Sequence, residues 1–192
     1  MKDCLNAIER YNSLNFERLS KEDFSLLHHW LNQPHVRTFY QHQAINLLEI
    51  EQKYTPRLES ASIHCFIIYY NSVYIGYIQT YLVRDYPDYT AVIGTKQGAT
   101  IDFYIGERAF LRKGLGYLIE LKFLSEIVFL ITSSDRCYIS HDKDNLAALK
   151  ASRRAGFVYV KDVVENNRVE KLFAISKGQV LLQTNLLLNS KT

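Results

Sequence analysis

TIDFYIGERAFLRKGLG, residues 100–116, is the stretch on which the reading of this chain turns. Thr100, Ile101, Phe103, Tyr104 and Ile105 are β-branched or aromatic, so residues 100–105 read as a strand. A turn follows, and Arg-Lys-Gly-Leu-Gly then opens the strongest helix in the chain, residues 115–131. Its expected apolar stripe is Leu115, Leu118, Ile119, Phe123, Ile127 and Leu130. The junction suits phosphate. Glycines let a backbone approach an anion closely, amides at a helix start point at it, and Arg112 and Lys113 add positive charge. The same letters also describe a tight strand–helix connection that binds nothing. A Walker loop is excluded, because no Gly-Lys-Ser/Thr follows. A dinucleotide fingerprint is excluded too, because it needs a third glycine and an early βαβ position.

Downstream, NLAALKASRRAGF (residues 145–157) reads as an amphipathic helix over 145–155 with Gly156 as its stop. A short strand, 137–140, lies between the two segments. Upstream, SIHCFIIYY (62–70) and SVYIGYIQTYLV (72–83) meet at Asn71 and Ser72, which predicts an antiparallel hairpin. Residues 14–19 alternate as a strand. Ser20 is an N-cap candidate for a helix burying Phe24, Leu27, Trp30 and Leu31, ended by Pro34. A second helix is expected from about 46 to 54, stopping before Pro56. Residues 84–98 hold Pro87, Gly94 and Gly98 and read as a mobile loop. Residues 157–160 and 169–175 form a closing pair of strands. The tail, 180–188, is apolar enough to dock. The order β, α, α, β, β, β, α, β, α, β, β predicts an α/β protein with a mixed sheet.

The bulk properties narrow the function. With 47% hydrophobic and 22% charged residues among 192, the chain has a globular composition and the length of one domain. A net charge of +3 is too weak to argue for nucleic acid, and no apolar run reaches the length of a membrane span. Cys4, Cys65 and Cys137 are odd in number and widely spaced. They suggest neither a disulfide framework nor a metal site, and a reduced, cytoplasmic protein is expected.

Together the two motif segments resemble the GCN5-related N-acetyltransferase (GNAT) family: a strand, then IGE, then Gly-Leu-Gly, and later Asn-x-x-Ala…Ala-Gly-Phe. Within it the chain is most similar to the aminoglycoside 6′-N-acetyltransferases, through TIDFYIG, KGLG, NLAALKASRRAGF, HHWLNQPHV and YIGYIQTYLV. A related group is the siderophore-type lysine N-acyltransferases. The resemblance covers residues 14–176 of a single domain spanning 1–192, with a tail from 177. It implies a twisted, mostly antiparallel sheet flanked by helices, with acetyl-CoA as cosubstrate between two splayed central strands. Backbone groups of Leu111, Arg112, Lys113, Gly114, Leu115 and Gly116 would cradle the pyrophosphate. Phe103, Tyr104 and Ile105 would hold the pantetheine arm, with a bulge there to orient an amide, and Asn145 would touch it. Asp102 would face the acceptor amine and take its proton, directly or through water. His35 and Tyr40 would shape the acceptor cleft. The implied partners are a small-molecule amine and, for the quaternary state, a homodimer, without nucleic acid, membrane or metal.

The chain also departs from the family. Leu111 and Arg112 stand where an Arg or Gln and a Gly are usual. Ser152 stands at the cofactor position where most relatives carry the Tyr that protonates the departing thiolate. Tyr138, Tyr117 or solvent would replace it, or the protein would be a catalytically weakened CoA-binding member. A solvated turn is the expectation for Glu107.

Overall fold

The structure, a computed structural model, describes residues 6–165 and 167–189. Among them the strand segments assemble into one seven-stranded sheet: β1 (Leu14–Arg18), β2 (Ile63–Tyr70), β3 (Val73–Leu82), β4 (Ala99–Ile105), β5 (Arg136–Asp142), β6 (Val158–Glu165) and β7 (Arg168–Ser176). The spatial order is β1-β2-β3-β4-β5-β7-β6. Asn71 and Ser72 both take positive φ, 49° and 63°, the geometry of the two-residue turn that matches strand twist. Every neighbouring pair is antiparallel except β4 with β5. That parallel pair is in register only at Ala99–Cys137 and Thr100–Tyr138, and past this point the two strands part.

Alternation along β4 sends Ile101, Phe103 and Ile105 to one face and Tyr104 to the other. The helices are α1 (Ala7–Asn12), α2 (Phe24–Leu31), α3 (Pro34–Phe39), α4 (Leu47–Glu59), α5 (Pro87–Ile93), α6 (Gly116–Phe123), α7 (Phe129–Ile131), α8 (Leu146–Ala155) and α9 (Lys177–Asn189). The first face is covered by α1, α6, α8 and α9, through Tyr11, Leu118, Leu149 and Val180 among others. The second is covered by α2, α3 and α4, through Trp30, Val36 and Tyr54. A third cluster packs α5 against the far end of the sheet.

Several expectations need correction. The segment 84–98 is not a mobile loop: Pro87 opens α5, Gly94 closes it at φ 84°, and Tyr89 and Ile93 are buried. Helix α4 runs through Pro56 to Glu59, because buried Ile50 and Tyr54 hold it on the sheet. Pro34 starts α3 as well as ending α2, its missing N–H costing nothing at a first helical position. The helix after Gly114 carries no single stripe. In α6 every residue from Tyr117 to Phe123 is buried, including Glu120 and Lys122. A π-helical turn (Leu124–Val128) follows, and Leu130 faces solvent. The expected bulge in residues 103–105 is absent, since β4 pairs with β3 without a register break. The tail is the helix α9, and Cys65 and Cys137 are free, buried thiols, while Cys4 lies outside the described residues.

Candidate active site

The parting of β4 and β5 opens a cleft of about 560 Å³ with walls from both faces of the sheet. Phe103, Tyr104 and Ile105 form its β4 edge. Past Thr100, β5 no longer pairs with that edge, so backbone groups there are left open without any bulge. Leu111, Arg112, Gly114, Leu115 and Gly116 form one mouth, and Asn145, the N-cap of α8, faces them with Ala148 and Ala151 of that helix.

The mouth has the chemistry to take an anion. Helix α6 starts at Gly116, so its first amides lack intrahelical acceptors. Gly114 sits at φ 68° and Arg112 at φ 59°, so Arg112 adopts the left-handed geometry that a glycine would take without strain. Gly116 has a packing role: a Cβ there would lie 3.1 Å from that of Ala151. Arg112 and Arg154 add cationic side chains to the wall. Lys113 is outside the lining; its ammonium lies 5.1 Å from the Phe110 ring centroid, and its carbonyl accepts from Arg10 Nη1 at 2.6 Å. Arg10, on α1, therefore braces the turn from 103 residues away, a role with no local sequence signal. The side chain of Asn145 accepts from the Ala148 amide at 3.2 Å, capping α8 at the cleft wall.

At the other end, Asp102 is half-buried and lines the cleft beside His35, Tyr40 and Tyr104. Gln79 Nε2 donates to its Oδ2 at 2.8 Å. Gln79 Oε1 in turn accepts from Arg57 Nη1 and from the Tyr77 hydroxyl, both at 2.7 Å. Burial pushes the Asp102 carboxyl above its usual range, against the lowering pull of the Gln79 bond and of the Arg57 charge. Burial also lowers Lys53, whose charge bears on Asp102, to about 8. The Tyr40 ring meets the Tyr104 ring edge-on at 4.6 Å, forming the aromatic wall.

The Trp-Leu-Asn-x-x-His stretch braces this end. Trp30 Nε1 donates to Glu107 Oε1 at 2.8 Å, so Glu107 is a partner of the core rather than a solvated turn residue. Asn32 ties the Ile45 backbone at both its N–H and its carbonyl. His35 Nε2 lies 3.1 Å from the carbonyl of Ile105, at the tip of β4. A Cβ on Gly106 would stand 2.1 Å from the Trp30 ring, so only glycine fits that turn.

Ser152 is fully buried behind the wall rather than on it. Its hydroxyl donates to Glu120 Oε1 at 2.8 Å and lies 2.7 Å from His141 Nε2. His141, at the end of β5, does line the cleft. Burial raises Glu120 to about 8 and lowers His141 to about 4. Neither residue carries a signal in the linear sequence. Tyr138 lies in the third cluster with Val83 and Leu172, whereas Tyr117 lines the cleft beneath the Arg154 guanidinium, 3.9 Å from its ring centroid.

The acetyltransferase (GNAT) domain profile matches residues 20–164. The chain therefore belongs to the GNAT family of acetyltransferases. Comparison with curated protein sequences gives no match. Among solved structures, the aminoglycoside acetyltransferase AAC(6')-Ib in complex with coenzyme A is 21% identical, with 90% of this chain and 99% of that one covered at a TM-score of 0.74. Spermidine N-acetyltransferase from Vibrio cholerae, in complex with CoA and spermine, is 16% identical, with 88% and 99% covered at 0.72. An uncharacterized protein from Bacillus halodurans is 19% identical, with 91% and 89% covered at 0.78. These likenesses show the same mixed, mostly antiparallel sheet flanked by helices. Among the described residues no helix is long and apolar enough to cross a membrane.

Proposed function

We propose that this protein is an acetyl-CoA-dependent N-acetyltransferase acting on a primary amine of a small cationic acceptor, with an aminoglycoside 6′-amine as the first candidate. The observation that supports it is one cleft running from a turn suited to an anion to a half-buried carboxylate. Bound acetyl-CoA supplies an activated acetyl thioester. The amides of residues 111–116, with Arg112, bind its pyrophosphate, and the open edge of β4 with Asn145 holds its arm. Lys113 adds charge near the mouth without lining it. Asp102 attracts the acceptor ammonium and takes its proton, which the nitrogen must lose before it can attack. His35 fixes the tip of β4, and Tyr40 and Tyr104 close the aromatic side.

A second reading rests on the cations behind Asp102. Arg57 and Lys53 do not line the cleft, but their charges bear on its Asp102 end, a field that favours an acceptor carrying its own carboxylate beside the amine, such as a hydroxylated lysine or ornithine. Thiol release from acetyl-CoA with kanamycin, spermidine and N-hydroxyornithine separates the two. Asp102→Asn should lower kcat with the best of them by about 10²–10⁴ while CoA affinity holds. Full turnover in that variant would remove Asp102 from the mechanism. CoA binding without release on any amine would favour a non-catalytic, CoA-binding role.

A further inference from the structure

A carboxyl in the middle of an apolar helix is costly unless it is paired, and Glu120 is fully buried on α6 with its Oε2 unpartnered. Its partner Ser152 is equally buried, and leads to His141 on the cleft wall. Three elements, α6, α8 and β5, thus bring carboxyl, hydroxyl and imidazole into one line from the core to the cleft.

We propose that His141 donates the proton to the departing CoA sulfur, with Ser152 and Glu120 as positioning residues that link it to a buried proton store. The proposal rests on the acetyl-transfer reading of the cleft. When the acceptor nitrogen has added to the thioester carbonyl, the C–S bond breaks and sulfur keeps the electron pair. Sulfur takes the proton from His141 Nδ1, Nε2 takes the Ser152 hydroxyl proton, and Ser152 takes the proton held by Glu120. The products are an amide, a CoA thiol, neutral His141 and a Glu120 carboxylate, which the proton shed by the acceptor reloads through solvent. A hydroxyl can donate in either direction, so the chain that now ends on Glu120 Oε1 reverses when that carboxyl is the acid. With Glu120 at about 8, the store is loaded at neutral pH and is a stronger acid than the alkyl thiol it supplies. Ser152 thereby keeps a part in proton delivery, although it is too short and too deep to reach the sulfur.

The test begins with CoA alone and the 15N-labelled protein. CoA should raise the melting temperature and shift the ring resonances of His141, assigned by their loss in His141→Gln. With acetyl-CoA and the best amine of the panel, His141→Gln and His141→Ala should lose kcat tenfold or more at unchanged KM for acetyl-CoA, and added imidazole should restore part of it in His141→Ala. Ser152→Ala and Glu120→Gln should lose threefold to tenfold, with melting temperatures recorded to separate folding from chemistry. CoA that binds but leaves the His141 ring unmoved, or full kcat in His141→Gln, overturns the proposal while the acetyl-transfer reading stands. The same follows if Tyr117→Phe takes the kcat loss in place of His141. No CoA binding at all overturns both.

Discussion

Arg112 holds a φ of 59° in an exposed turn, a conformation that costs a side-chain-bearing residue about 1–2 kcal/mol. Arg112→Gly should relieve that strain while adding about 0.5–1 kcal/mol of unfolded-state entropy. A net gain of about 0.5–1 kcal/mol in stability is expected by denaturant titration. CoA binding should weaken a few-fold in the same variant, because an exposed charge on a phosphate is worth about 0.2–1 kcal/mol. A variant that bound CoA more tightly would show that Arg112 obstructs the turn. Glu120 gives a prediction in pH. Its folded pKa, about 8, lies above its ordinary 4.5, so its contribution to stability is full below 4.5 and is lost as pH rises toward 8. His141 runs the other way, from 6.5 down to about 4, and contributes fully above 6.5. Between pH 6.5 and 8 only Glu120 of this pair acts. The melting temperature of the wild type should fall faster over that window than that of Glu120→Gln, and equal slopes would place the proton elsewhere. Asp102 and Arg112 could be marked from their neighbours in sequence. The Glu120–Ser152–His141 line could not, because its members come together only when α8 packs between α6 and β5, across separations of 32 and 11 residues.

Helix α6 shows why motifs were legible and environments were not. Its start follows from Gly114 and Gly116, but its end at the π-helical turn does not, and its burial on every side depends on α1, α8 and α9, which no local pattern announces. The hairpin and β4 were legible because alternation and turn chemistry are local. Helix α5 was not, because the proline and glycines that suggest a loop also start and stop a helix. The contact between α6 and α8 can be tested directly. A Cβ on Gly116 lies within 3.1 Å of Ala151 Cβ, tighter than ordinary packing. Gly116→Val should destabilise by about 1–3 kcal/mol, as overpacking does. It should also weaken CoA binding, since α8 carries Ala148 and Ala151 on the cleft wall, with Asn145 as its N-cap. Adding Ala151→Gly should recover much of both losses. Without recovery, the glycine would be needed for the ligand rather than for the helix pair.

At the scale of the whole molecule, one irregularity makes the site. Five of the six neighbouring strand pairs run along their lengths, but β4 and β5 are parallel for two residues only, and the wedge between them is where both cores reach the surface. A ligand filling that wedge bridges the α6–α8 face and the α2–α4 face, so it should stabilise the folded state as a whole. For binding to the native state alone the gain is RT ln(1 + [L]/Kd), about 2.7 kcal/mol at a hundredfold excess over Kd. In a chain of this size each kcal/mol moves the melting temperature by about 2–4 °C, so saturating acetyl-CoA should raise it by about 5–11 °C. Gly114→Val is the informative control. Gly114 sits at φ 68°, and a Cβ there would lie 3.2 Å from the Arg10 guanidinium that braces the turn. The variant should lose little stability without ligand, about 1–2 kcal/mol, and most of the shift with it. A shift of full size in Gly114→Val would move the pyrophosphate off this turn. A wild-type melt unmoved by acetyl-CoA would mean that the wedge holds a different ligand.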